Sequence, residues 1–474
     1  MMKTGRFPML TLPLLTAGLI CLTGCGGQAG DAVTLRVCNW EEYIDEGDWG
    51  DDEAIELDDG TVIFGENSLT DDFEEWYYEE YGEKVKVEYS TFGTNEELYN
   101  QITIGDVYDL ACPSEYMIMK MMREGMLTPY SDDFHDTDKE ENYYARGLSP
   151  YIRGVYENLS IEGEPLSRYA SGYMWGTLGI VYNPDEVSEE EAAHWSLLLD
   201  HDYYRRVTIK DSVRDAYFAA AAINYYDEIT APDFVNAPDY HDRLSAVLNR
   251  TDEETVEAVE KVLTQAKNNV YSFETDSGKA DMVTGKVIAN EQWSGDGVYT
   301  LDQADEDGVT LCYSAPKEGT NLWFDGWVML KSGIEEDARK QHAAEAFVNY
   351  ISRPENVVRN MYYIGYTSVI SGGDSDMVFD YLEYNYGADE EEDEDLVLYD
   401  NIGYFFEADT DEANEKYSVL TTADQTKRQL FAQYPPKDVV DRSVVMACFT
   451  DESNERVNRA WTNVRCFDLK SLFR

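Results

Sequence analysis

From Leu35 onward the apolar residues switch repeatedly between two periods. Leu35 to Asn39 reads as a short strand ending in a polar aromatic turn, Asn39-Trp40-Glu41-Glu42-Tyr43. Leu69 to Tyr81 carries apolar residues at helical spacing, Lys84 to Tyr89 alternates as a strand, Asn95 to Ile104 returns to a helix, and Tyr108 to Cys112 is a short apolar strand. Pro113 and Ser114 end that strand, and Ser114 is placed to cap a helix over Tyr116 to Glu124. Strands alternating with helices predict an open α/β sheet with functional groups at the strand ends.

Three acidic stretches break the pattern. Asp45 to Asp59 and the block Asp389 to Asp395 (DEEEDED) read as insertions, the second as a solvated loop. Asp302 to Gly308 superficially looks like a calcium loop. Its first ligand position would be Gln303 and its twelfth Ser314, so the acid pattern fails.

The N-terminus follows a different rule. Lys3 and Arg6 precede an apolar run from Pro8 to Leu22, too short and too broken by Pro13 and Gly18 for a membrane span, and this reads as a secretory leader. Leu22-Thr23-Gly24-Cys25 closes the run and resembles the bacterial lipobox, which implies cleavage after residue 24, lipidation of Cys25 and a tethered linker over 25–32. The expected location is extracytoplasmic, anchored to the outer face of the cell membrane or periplasmic. The remaining chain of about 450 residues is long for one compact core and predicts two lobes.

A net charge of −58, deepened by two when Lys3 and Arg6 leave, repels nucleic acid and attracts cations. Nucleic-acid binding is excluded on that ground. Outside the leader and the lipid site stand five cysteines: Cys38, Cys112, Cys312, Cys448 and Cys466. Their spacing suggests no metal, Cys38 and Cys112 sit in apolar strands as buried thiols, and Cys448 and Cys466 leave room for one bridge.

Nucleotide-loop, nucleophile-elbow and zinc-helix motifs are missing, and the five histidines have no ligand spacing. The expectation is a protein with no catalytic residues, metal or cofactor. What recurs is an aromatic beside an acid at a turn: Trp40-Glu41-Glu42-Tyr43, Trp293-Ser294-Gly295-Asp296 and Trp323-Phe324-Asp325, with Ser114-Glu115-Tyr116 adding a hydroxyl at a helix start. A dication with a methylene spacer suits that mixture. Its methylenes stack on aromatic faces, each ammonium gains about 0.5–2 kcal/mol of cation–π attraction, and carboxylates complete the pairing.

These segments, with Tyr89-Ser90-Thr91, Tyr108 to Tyr116, Gly172-Tyr173-Met174-Trp175-Gly176, Ile364-Gly365-Tyr366 and Arg459-Ala460-Trp461-Thr462, resemble in order the spermidine/putrescine-binding proteins of ABC importers. The likeness implies a two-lobed periplasmic-binding-protein fold of type II with ligand in the interlobe cleft. Lobe 1 would span 33–183 plus 325–366, and lobe 2 184–324 plus 367–474. It also implies a polyamine ligand, a membrane permease and a separate ATPase as partners. By position, Trp40, Tyr43, Trp293 and Trp323 would wall an aromatic box. Glu42, Asp215, Asp296 and Asp325 would face amines, and Ser114, Tyr116 and Tyr366 would supply polar or stacking contacts. One departure stands out: where spermidine-type members carry an acid three residues before the position of Asp215, this chain has Ser212, with Asp211 adjacent. The residues also leave open a binding protein for another small cationic or neutral solute, a surface adhesion or scaffold protein, and a secreted glycosidase.

Overall fold

The computed structural model describes residues 32–50, 53–389 and 393–466. The leader, Cys25, most of the linker and part of the DEEEDED block lie outside them. The main sheet orders its strands Ser272–Glu274, Val207–Lys210, Ala289–Trp293, Ala170–Tyr182, Thr320–Leu330, Leu110–Ala111, Val33–Trp40 and Val85–Phe92. At one end, Val33–Trp40 lies parallel to Val85–Phe92 and Leu110–Ala111; at the other, Val207–Lys210 lies parallel to Ser272–Glu274 and Ala289–Trp293. Crossover helices link these strands, as parallel pairs require. The two long strands between them are antiparallel to each other. All 13 residues of Ala170–Tyr182 and all 11 of Thr320–Leu330 are buried, which explains their continuous rather than alternating apolar character.

Helices fall close to their sequence-predicted bounds. Leu69–Tyr81 is capped by Ser68, whose side chain accepts from Asp71 N, and Asn95–Ile104 by Thr94, which accepts from Glu97 N. Leu69, Phe73 and Tyr77 form the buried stripe of the first. Ser114 does stand at the N-cap of Glu115–Arg123, but its side chain makes no cap bond. Its hydroxyl is used elsewhere, as described below.

Apolar packing gathers into two large cores and a smaller third cluster around Val181, Leu301 and Tyr313. One large core gathers Leu35, Val37, Phe73, Trp327 and Phe347. The other gathers Leu178, Ile180, Ile209, the alanine-rich face of Val213–Asn224 and Val256, Val259 and Leu263 from Glu253–Asn269. The division between these two falls inside Ala170–Tyr182, between Trp175 and Leu178. One stretch departs from the expected lobe boundaries. Residues 369 to 440, expected in the second lobe, divide: Val369, Phe379, Phe405 and Val440 pack into the first core, whereas Ala432 packs with Val181, Leu301 and Tyr313 and Arg428 pairs with Asp305 at 2.6 Å. Thr367–Ser368 pairs with Met174 and Trp175, and Phe405 stacks on Trp175 with ring centroids 5.3 Å apart, tying the stretch to that side. The chain returns to the second core only at Val444, where Ser443–Val444 pairs in parallel with Thr320 and Asn321.

The Asp45–Asp59 insertion is not simply solvated. Asp45 is fully buried, where it accepts from Gly47 N at 2.8 Å and Trp49 Nε1 at 3.1 Å and pairs with Arg359, which also holds Asp72 at 2.6 Å. Cys38, Cys112, Cys312, Cys448 and Cys466 are all free thiols, the first three buried.

Candidate functional site

Two strands from each side carry the candidate residues at their C-terminal ends, the pairs running in opposite directions through the sheet: Trp40, Ala111, Lys210 and Trp293 are the last strand residues, and the loops or first helical turns after them carry Tyr43, Ser114, Asp215 and Asp296. Asp325 arrives differently. The register between Thr320–Leu330 and Ala170–Tyr182 shifts between Phe324 and Gly326, and this irregularity aims Asp325 out of the alternation. Asp325 forms an isolated bridge with Ser114, and Gly326 N donates to Pro113 O at 3.1 Å.

Around Asp325 the groups converge. Tyr43 donates its hydroxyl to Oδ2 at 2.8 Å and Ser114 donates to Oδ1 at 2.7 Å. Ser114 in turn accepts from Asn95 Nδ2 at 3.0 Å, and the same amide donates to the Tyr116 hydroxyl at 3.0 Å. Tyr366 meets Tyr43 edge-on at 4.9 Å and Trp323 at 5.8 Å. The Tyr43 carbonyl accepts from Tyr173 Oη at 2.6 Å, which holds the loop on the sheet. Among the described residues no cation pairs with Asp325. Burial raises its carboxyl to about 6, against the lowering pull of Ser114 and Tyr43.

Asp296 is the opposite case. Lys210 Nζ lies 3.1 Å from its Oδ2, Lys279 Nζ 3.5 Å from its Oδ1, and Tyr366 donates to Oδ1 at 2.8 Å. Burial would push this carboxyl up, yet the two ammonium groups and the hydroxyl together pull it down to about 2. Lys210, itself fully buried, also sits 4.3 Å from the Trp293 ring and donates to Thr275 O at 2.8 Å. Trp293 Nε1 donates to Asp215 Oδ1 at 3.2 Å, and burial raises the Asp215 carboxyl. Gly295 keeps the two halves together: a Cβ there would overlap the Tyr366 ring.

The sequence-predicted residues therefore form two linked groups. Tyr43, Ser114, Trp323, Asp325 and Tyr366 surround one carboxylate, and Asp215, Trp293 and Asp296 form a second cluster joined to it through Tyr366. Trp40 lies against Phe92 at 4.6 Å with its indole N–H buried and without a partner. Glu42 is exposed at φ +52° and makes none of these bonds, but its charge acts on Lys279, the second ammonium beside Asp296. Tyr116 is half-buried under Arg214, whose guanidinium lies 4.5 Å from its ring and 3.9 Å from that of Phe449. These three line a cavity of about 590 Å³ between the lobes, with Glu96, Lys120 and Arg459 on its walls.

Lys210, Lys279, Arg214 and Asn95 were not assigned roles from sequence. Lys210 offered one signal: it closes the buried strand Val207–Lys210, where a lysine must find a carboxylate.

Comparison with known proteins agrees with this architecture. The family model described as bacterial extracellular solute-binding protein matches residues 68–376. The chain is 26% identical over 355 residues to the spermidine/putrescine-binding periplasmic protein of Salmonella typhimurium, covering 74% of this chain and 82% of that one. It is 25% identical over 367 residues to the putrescine-binding periplasmic protein of Escherichia coli, covering 75% and 82%. The crystal structure of the spermidine/putrescine ABC transporter substrate-binding protein of Streptococcus pneumoniae superposes with a TM-score of 0.58 over 92% of this chain and 99% of that one, at 22% identity. That likeness establishes the two-lobed α/β fold.

Proposed function

Since the chain belongs to the bacterial extracellular solute-binding protein family, we propose that it captures an aliphatic amine of the putrescine and spermidine class in the interlobe cleft. It would then deliver that amine to the membrane permease of an ABC importer driven by a separate ATPase. One observation carries the reading: Asp325, a buried carboxylate paired with no cation among the described residues, sits among Tyr43, Trp323 and Tyr366. A desolvated anion walled by aromatic faces suits an ammonium group, which gains charge pairing and cation–π attraction together. The names of the relatives support the same ligand class. In this reading the chain is a carrier rather than an enzyme. It works outside the cytoplasm, tethered through a lipid on Cys25, and closes its lobes on the ligand about the strands that join them. The lobes follow the two larger apolar cores, with most of the 369–440 stretch on the first.

Calorimetric titration of the mature chain with putrescine and spermidine tests the proposal, alongside amino acids and sugars as controls. A tight amine also raises the melting temperature by mass action. Binding of a sugar or amino acid with no amine response would replace the reading with another solute.

A further inference from the structure

Everything the sequence reserved for a second ligand ammonium already has one. The face of Trp293 is covered by Lys210 Nζ at 4.3 Å, and Asp296 Oδ2 is taken by the same ammonium at 3.1 Å. Asp296 Oδ1 is shared by the Tyr366 hydroxyl at 2.8 Å and Lys279 at 3.5 Å. Lys210 is fully buried and fixed by a third contact, to Thr275 O at 2.8 Å, so its ammonium is built into the site rather than resting on it. The carboxylate next along, Asp215, faces the Trp293 N–H and lies near the charges of Lys210 and Arg214. Only Asp325, among the carboxylates of the two groups, has no positive neighbour.

We propose that Lys210 is a specificity-determining residue that takes the place of a ligand ammonium on Trp293 and Asp296. The cleft then favours an aliphatic amine carrying one ammonium, at Asp325, and a neutral hydrogen-bond-accepting group at its other end. This rests on the reading of the cleft as an amine site. A second ligand ammonium brought toward Asp296 would meet two like charges in a buried setting, where repulsion is poorly screened. An amide carbonyl in the same place would instead face N–H donors.

Calorimetry on the mature chain with putrescine and mono-N-acetylputrescine decides the matter, using wild type and Lys210→Met. Wild type is expected to bind the acetylated amine at least as tightly as putrescine. Lys210→Met is expected to raise putrescine affinity tenfold or more and to lower that of the acetylated amine at least threefold, since the N–H donor facing its carbonyl is gone. Wild type binding putrescine more tightly than its acetylated form would overturn the proposal. So would a folded Lys210→Met whose putrescine affinity rises less than tenfold. If the variant does not fold, the wild-type ranking decides alone. Binding of neither amine would instead defeat the amine-site reading, an outcome distinct from putrescine winning.

Discussion

Tyr43 and Asp325, 282 positions apart in sequence, meet in a hydrogen bond of 2.8 Å between a phenol and a carboxylate that are both buried. The phenol satisfies one oxygen but brings no charge, so the anion keeps its demand for a cation. Asp325→Asn preserves the shape and removes that demand. We expect amine affinity to fall by about 3–5 kcal/mol, the usual cost of leaving a buried charge without its partner. The unliganded variant should melt at or above the wild-type temperature, because an uncompensated buried carboxylate is gone. An affinity within threefold of wild type would remove Asp325 from the site.

The same carboxyl sets a pH dependence. Burial holds it at about 6, above its ordinary value of 3.8, so the folded state binds this proton more readily than the unfolded one. Stability contributed by Asp325 is therefore fully present below about pH 4 and is lost as pH rises through about 6. Amine affinity runs the other way, because a cation needs the ionised form, and it should weaken as pH falls below about 6. Comparing wild type with Asp325→Asn isolates this group from Glu115 and Glu291, which burial raises to about 8. Identical pH profiles in the two proteins would contradict the assignment.

Gly295 fits because it has no side chain facing Tyr366. Gly295→Ala would push that ring aside and break its bond to Asp296. We expect a loss of stability of about 1–3 kcal/mol from overpacking, and at least a tenfold loss of amine affinity, or about 1.4 kcal/mol. Chemical denaturation and calorimetry on one preparation read both. Unchanged affinity would mean that Tyr366 does not shape the site.

Arg359, on the Pro354–Ile364 helix, joins the first acidic loop to the Leu69–Tyr81 helix through Asp45 and Asp72. Arg359→Ala strands Asp45 in the interior and should cost about 3–5 kcal/mol of stability, with Asp45→Asn restoring part of it in the double variant. Since Tyr43 stands two residues from Asp45, amine affinity should fall as well. Equal denaturation midpoints for wild type and Arg359→Ala would refute the account.

Ligand length is a separate matter. Ser212, at the position where the resemblance implies an acid for spermidine-type members, caps Val213–Asn224 by accepting from Asp215 N at 3.4 Å. Its neighbour Asp211 pairs with Arg465 at 2.6 Å, away from the cleft. With no spare carboxylate there, putrescine is expected to bind at least as tightly as spermidine. A competition titration in which spermidine wins tenfold would reverse that ranking.

Much of this was legible in the sequence because it is local. The Leu69–Tyr81 and Asn95–Ile104 helices follow from apolar spacing within a few turns, and two of the aromatic–acid segments lie at strand ends that periodicity can find, whereas Trp323-Phe324-Asp325, expected at a turn, sits inside the Thr320–Leu330 strand. What stayed hidden depends on distant partners. Asp45 reads as one more acid in an acidic loop, and its burial is decided by Arg359, 314 positions later. The irregularity that aims Asp325 comes from the pairing of two strands and leaves no mark on either one alone. Lys210 ends a strand as many surface lysines do; only the fold sets it over Trp293. Most of the 369–440 stretch joins the first core through Trp175, a contact no periodicity could have assigned.

The Thr320–Leu330 strand joins the two lobes and also carries Trp323 and Asp325. On the proposed reading, the ribbon that must twist when the lobes rotate is also the ribbon that grips the ammonium. Occupancy and lobe angle then become a single mechanical coordinate, with no relay between them. A permease that senses only the relative tilt of two distant surfaces would, in effect, be weighing the charge held at one carboxylate.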